Sequence, residues 1–160
     1  MVFADRPDPE LVAGELRERA MTVFIHGWIQ GVLMSLFLAV RTPRRLFPAS
    51  EVCVELRDGE FRVPDVAVFE KVPPPVPSFP PLVTVEILFA NERHGDVMSK
   101  CEDFRRWGVT HIWLVDPYLN LLHVYTAEGL ANVAALELAE YGLRITMADL
   151  LDGLPEESSV

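Results

Sequence analysis

The chain lacks most of the residues that announce a chemistry. It has two cysteines in 160 residues, Cys53 and Cys101, with no CxxC spacing. They read as small buried hydrophobes in a reducing compartment. There is no Gly-rich phosphate loop and no nucleophile elbow. The spacing of His111 and His123 fits no zinc template, and there is no internal repeat. Basic residues are scarce, 14 against 24 acids, for a net charge of −10. That argues against non-specific clinging to nucleic acid, but leaves room for an enzyme with a local basic patch and metal ions. Long hydrophobic runs are missing too. The most apolar stretch, Val32 to Val40, is too short to span a bilayer. The N-terminus, MVFADRPDPE, is acidic and proline-broken, unlike a signal peptide. The expected location is the cytoplasm, with no membrane partner.

Half the residues are apolar, as in a globular domain. A chain of this length buries about two-thirds of its surface on folding. The expected organisation is one domain over residues 11–152, a loose N-terminus over 1–10 and a polar tail over 153–160.

Leu11 to Arg19 is ambiguous between strand and helix. Met21 to Val40 reads as one long helix, with Phe24, Trp28, Leu33, Leu36 and Phe37 on its apolar stripe and polar interruptions at Gln30 and Ser35. It ends before Thr42-Pro43. Arg41, Arg44 and Arg45 follow it. They either complement the helix dipole or bind phosphate. Leu46 to Leu56 and Phe61 to Phe69 read as strands, with Pro64 marking a bulge or an edge. Lys71 to Pro81 is a stiff proline-rich connection.

The most informative stretch runs from Leu82 to Pro117. Leu82 to Phe89 is apolar on nearly every residue, as in a strand covered on both faces. Glu86 is its one charge. A carboxylate is rarely buried unless it is paired or binds a metal, so Glu86 faces a cleft or has a cation. Asp65 is a second isolated acid in an apolar strand. On the helix that follows, Lys100 lies at about −60° from Val97, inside the apolar arc of Val97, Cys101, Phe104 and Trp107. It either pairs with Asp96 at i,i+4 or points at an anion. His111 to Asp116 and Leu121 to Thr126 read as strands of a hairpin, with Asp116 closing the turn. Short strands or turns follow from Ala131 to Thr146, then a last short helix, Met147 to Leu151. A helix between Glu86's strand and the His111–Asp116 strand makes a crossover and a mixed sheet with helices on its faces.

Two acids on neighbouring strands can converge on a hard cation such as Mg²⁺. A lysine from the next helix can then stabilise charge on a phosphate. In the alternative, both acids are structural, paired with Arg62 or Arg93.

PDVAV around Asp65, VEIL around Glu86, the helix with Lys100 and the string GVTHIWLVDP resemble the Uma-two family, a branch of the PD-(D/E)xK nuclease superfamily. Gly14-Glu15-Leu16 and the helix near His26 resemble its N-terminal part. The resemblance covers roughly Glu10 to Leu151. It implies an α/β fold, a restriction-endonuclease-like mixed β-sheet with an αβββαβ core flanked by helices. It also implies Mg²⁺ or Mn²⁺ held by Asp65, Glu86 and the main-chain carbonyl of Ile87, with Lys100 as a lysine supplied by the helix. The superfamily places a lysine two positions after the second acid, where this chain has Leu88. Glu15 and His26 are expected accessory groups. Arg93, His94, Arg44 and Arg45 are expected to contact nucleic acid. DNA is the expected polymer and a homodimer the expected assembly. The competing expectation is a catalytically inactive module that keeps the fold to bind DNA or a protein.

Overall fold

Alternation along three strands sets the architecture. In the computed structural model, which describes residues 10–12, 15–17, 23–90 and 92–155 (backbone only for 10–17), the twelve strands and three helices are as follows. A hairpin of β1 (Glu10–Val12) and β2 (Glu15–Arg17) precedes α1 (Phe24–Ala39). Then come β3 (Phe47–Ser50), β4 (Val54–Glu55), β5 (Phe61–Arg62), β6 (Val66–Phe69) and β7 (Val83–Ile87). Helix α2 (His94–Trp107) leads to β8 (His111–Asp116) and β9 (Leu121–Thr126). β10 (Gly129–Val133), β11 (Leu136–Leu138), β12 (Leu143–Ile145) and α3 (Met147–Leu151) close the described chain.

Six strands form the main sheet in the order β10-β9-β8-β7-β6-β3. Only β7 and β8 run parallel within it; the other pairings are antiparallel. A parallel pair needs a crossover, which α2 supplies. Val66, Val68, Val83, Val85, Ile87, Trp113 and Val115 point to the α1 side and pack with Ile29, Leu33 and Phe37. Ala67, Phe69, Ile112 and Leu114 point the other way, against Val97, Cys101, Phe104 and Trp107 of α2. The central strands are therefore covered on both faces, which is why they read as unbroken apolar runs. The sequence α1, β3, β6, β7, α2, β8 is the expected αβββαβ core, and the mixed sheet with flanking helices is the fold.

Several boundaries differ from expectation. Leu46 to Leu56 is two strands, because the chain turns out of the sheet at Glu51, where φ is +52°. Cys53 sits in that excursion and is exposed, contrary to the buried position expected; Cys101 is buried. Phe61 to Phe69 is also two strands. Pro64 has no N–H to give a ladder, so β5 pairs with β4 while β6 joins the main sheet. Leu11 to Arg19, ambiguous in sequence, carries strands β1 and β2. Met1 to Pro9 and residues 156–160, expected to be loose, lie outside the described residues.

Candidate active site

The break at Pro64 puts Asp65 at the start of β6 rather than within it. β6 and β7 pair as Val66↔Val85, Ala67↔Thr84 and Val68↔Val83. One more step in that register sets Asp65 opposite Glu86. Both acids are 5% exposed.

Asp65 is fixed at two of its oxygens. Its Oδ2 accepts the Ile87 N–H at 2.7 Å and lies 3.2 Å from Nε2 of His26. The contact is close without being a well-aligned hydrogen bond. The Asp65 main-chain oxygen accepts from the Glu51 N–H at 3.1 Å and from Nε2 of Gln30 at 2.8 Å. Burial pushes the Asp65 carboxyl up. The His26 N–H, the charges of Lys100 and His26, and the Ile87 N–H outweigh it, and the net shift is down. Asp65 is an anion at neutral pH.

Glu86 shares its face of β7 with Thr84, toward α2. Lys100 comes down from α2 to meet it. Its Nζ donates to Glu86 Oε2 at 2.9 Å and to the Val63 carbonyl at 2.7 Å. The ammonium thus ties the segment just before Asp65 to the second acid. Arg62 donates from Nε to Asp103 Oδ2 at 2.9 Å. Cys101, beneath the pair, is held protonated by burial and by the charge of Glu86, so it is no nucleophile at neutral pH.

The loop after β7 forms a rim. Glu92 folds back so that its Oε2 accepts the Phe89 N–H at 3.1 Å. Shielding of this carboxyl raises its pKa, the Phe89 N–H opposes that, and the charge of Asp65 raises it further. Arg93 and His94 are exposed at the start of α2. The Phe89 ring stacks on His26, centroids 4.6 Å apart and planes 10° off parallel.

The structure therefore brings Asp65, Glu86, Ile87, Lys100 and His26 together. It does not bring Arg44 and Arg45 there. The pairings Phe47↔Phe69 and Ser50↔Val66 put residues before Phe47 at the far end of β6, where Arg44 lies 3.8 Å from Glu70. The side chain of Glu15 lies outside the described residues. His111 is 3.4 Å from Glu140. Asp116 closes its turn, as expected, accepting from the N–H groups of Tyr118 and Leu119 at 3.0 and 2.9 Å. The loop of Glu92, Arg93 and His94 lies beside the acids, as expected; sequence reasoning missed Gln30 as their neighbour. For Gln30 a signal existed: it is i+4 from His26 on a helix with no Asp, Glu, Lys or Arg.

Among the described residues, no three His, Cys, Asp or Glu side chains are grouped to hold a metal ion. The oxygen donors expected to hold a cation are the carboxylates of Asp65 and Glu86 and the Ile87 carbonyl. That set is poor for zinc and suits Mg²⁺, which takes one or two carboxylates and keeps its waters.

The mixed sheet with its crossover helix is the expected fold. Residues 3–156 match the family Uma2, described as "Putative restriction endonuclease", and the chain belongs to that family. Its fold is also that of a crystal structure described as a "putative nuclease belonging to DUF820" from Anabaena variabilis ATCC 29413. The TM-score is 0.78 at 20% identity, over 92% of this chain and 94% of the other. No curated protein matches. No helix among the described residues is long and apolar enough to cross a membrane.

Proposed function

We propose that this chain is a metal-dependent endonuclease that hydrolyses phosphodiester bonds in DNA. Family membership supports the nuclease reading. The observation that carries it is the meeting of Asp65, Glu86 and Lys100 in one buried notch. Asp65, Glu86 and the Ile87 carbonyl would hold Mg²⁺ or Mn²⁺. Such a cation supplies Lewis acidity at the scissile phosphate. Lys100, oriented by Glu86 and by the Val63 carbonyl, faces the negative charge that grows on the phosphoryl oxygens as water adds and the P–O bond breaks. Arg93 and His94, exposed on the rim, would meet the backbone of the polymer. Glu15 and His26 are accessory groups. Pairing of two copies, so that both strands of a duplex are met, and a cytoplasmic location belong to the same proposal.

Glu86→Gln removes one anion and keeps the shape. It should lower plasmid nicking in Mg²⁺ or Mn²⁺ by at least about a hundredfold, the scale for loss of a key electrostatic group. Equal nicking by wild type and variant defeats the assignment. One observation favours a second reading, a nuclease fold that binds DNA or protein without cutting: Leu88 stands where the superfamily pattern has its lysine. Under that reading the wild type nicks no faster than Glu86→Gln because neither nicks at all.

A further inference from the structure

Helix α1 contributes more to the site than an apolar backing. Its first two turns carry His26 and Gln30, four residues apart and therefore on one face. Both reach the same residue. His26 Nε2 is 3.2 Å from the Asp65 carboxylate and Gln30 Nε2 donates to the Asp65 main-chain oxygen at 2.8 Å. His26 is 1% exposed. Its Nδ1 has no hydrogen-bond partner among the described residues. Its ring is fixed from the side by Phe89. Asp65 itself sits in a bend, outside the ladder of β6, where the sheet alone does not fix its orientation.

We propose that α1 is a clamp for Asp65: His26 sets the orientation of the carboxylate, and Gln30 sets the main chain that bears it. His26 and Gln30 are positioning residues, acting on the cation through Asp65. This rests on the metal-site reading above, in which Asp65 is a ligand. Groups that hold a ligand in place change metal affinity by about 10–100-fold when removed. A purely structural role in the core would leave the affinity of the folded protein alone.

The test is Mn²⁺ binding to the whole chain, followed by the electron paramagnetic resonance of free Mn²⁺, with a thermal melt on each variant. We expect saturable binding in wild type and loss of it in Asp65→Asn. We expect about 10–100-fold weaker binding in His26→Phe, and affinity close to wild type in His26→Gln, whose amide N–H takes the place of Nε2–H. If wild type binds no Mn²⁺, the metal site fails and the clamp with it. If Asp65→Asn abolishes binding but His26→Phe binds as wild type does, the metal site stands and the clamp is overturned. Should His26→Phe not fold, Gln30→Met decides: weaker binding supports the clamp and unchanged binding overturns it.

Discussion

Lys100 and Glu86 form an ion pair that is almost wholly out of water, at 13% and 7% side-chain exposure. Such a pair is retained at a cost, because desolvation offsets much of the Coulomb attraction. A fold that only needed packing would place apolar side chains there. On the outer side of the same helix Glu102 shows the opposite economy. It accepts from Arg105 at 2.7 and 2.8 Å, from Arg106 at 3.0 Å and from the Tyr125 hydroxyl at 3.0 Å. The Arg105 hydrogen bonds, with help from Tyr125 and Arg106, hold its pKa at about 2, against the ordinary 4.5. The unfolded chain therefore takes up this proton at higher pH than the native state. The stability Glu102 contributes is complete above the ordinary carboxylate range and is lost as pH falls from there toward about 2. Carbon-13 NMR of the Glu102 carboxyl should show a midpoint near 2; a midpoint at 4.5 contradicts these contacts. Asp65, Glu86 and Lys100 were legible in the sequence because a charge in an apolar run needs a reason. Gln30 was less so: its i+4 spacing from His26 is a signal, but a polar residue on a helix is ordinary until its neighbours are known.

Helix α2 was legible as an element because its apolar arc repeats at helical spacing, and the structure buries that arc at Val97, Cys101, Phe104 and Trp107. Its end is set by Gly108, in the left-handed region at φ +108°, whose N–H meets the carbonyls of Phe104 and Arg105 at 3.1 Å each. A Cβ there would lie 3.6 Å from Pro80 Cγ, an ordinary contact. The cost of Gly108→Ala is therefore conformational, about 1–2 kcal/mol in urea unfolding. An unchanged midpoint contradicts it. The strands β8 and β9 fell where their alternation put them, at His111–Asp116 and Leu121–Thr126. The split of Leu46 to Leu56 and of Phe61 to Phe69 was not legible. Hydrophobic pattern continues through both breaks; what ends the pairing is a single left-handed residue, Glu51, and a missing donor, Pro64.

At the scale of the whole molecule, the site exists because three elements distant in sequence end at one place. β6 delivers Asp65, β7 delivers Glu86 on the α2 side, and α2 returns Lys100 across that face. α1 closes over Asp65 from the opposite layer. Spacing along the chain suggests such a meeting but cannot fix it, because the register of β6 on β7 decides where Asp65, just ahead of β6, falls relative to Glu86. The net charge of −10 opposes the approach of a polyanion, and a cation between the acids would relieve that opposition locally. The most direct measurement is anomalous diffraction from a crystal soaked in Mn²⁺. The account predicts one strong peak bridging the carboxylates of Asp65 and Glu86. Peaks confined to surface acids, with none between those two residues, would contradict it.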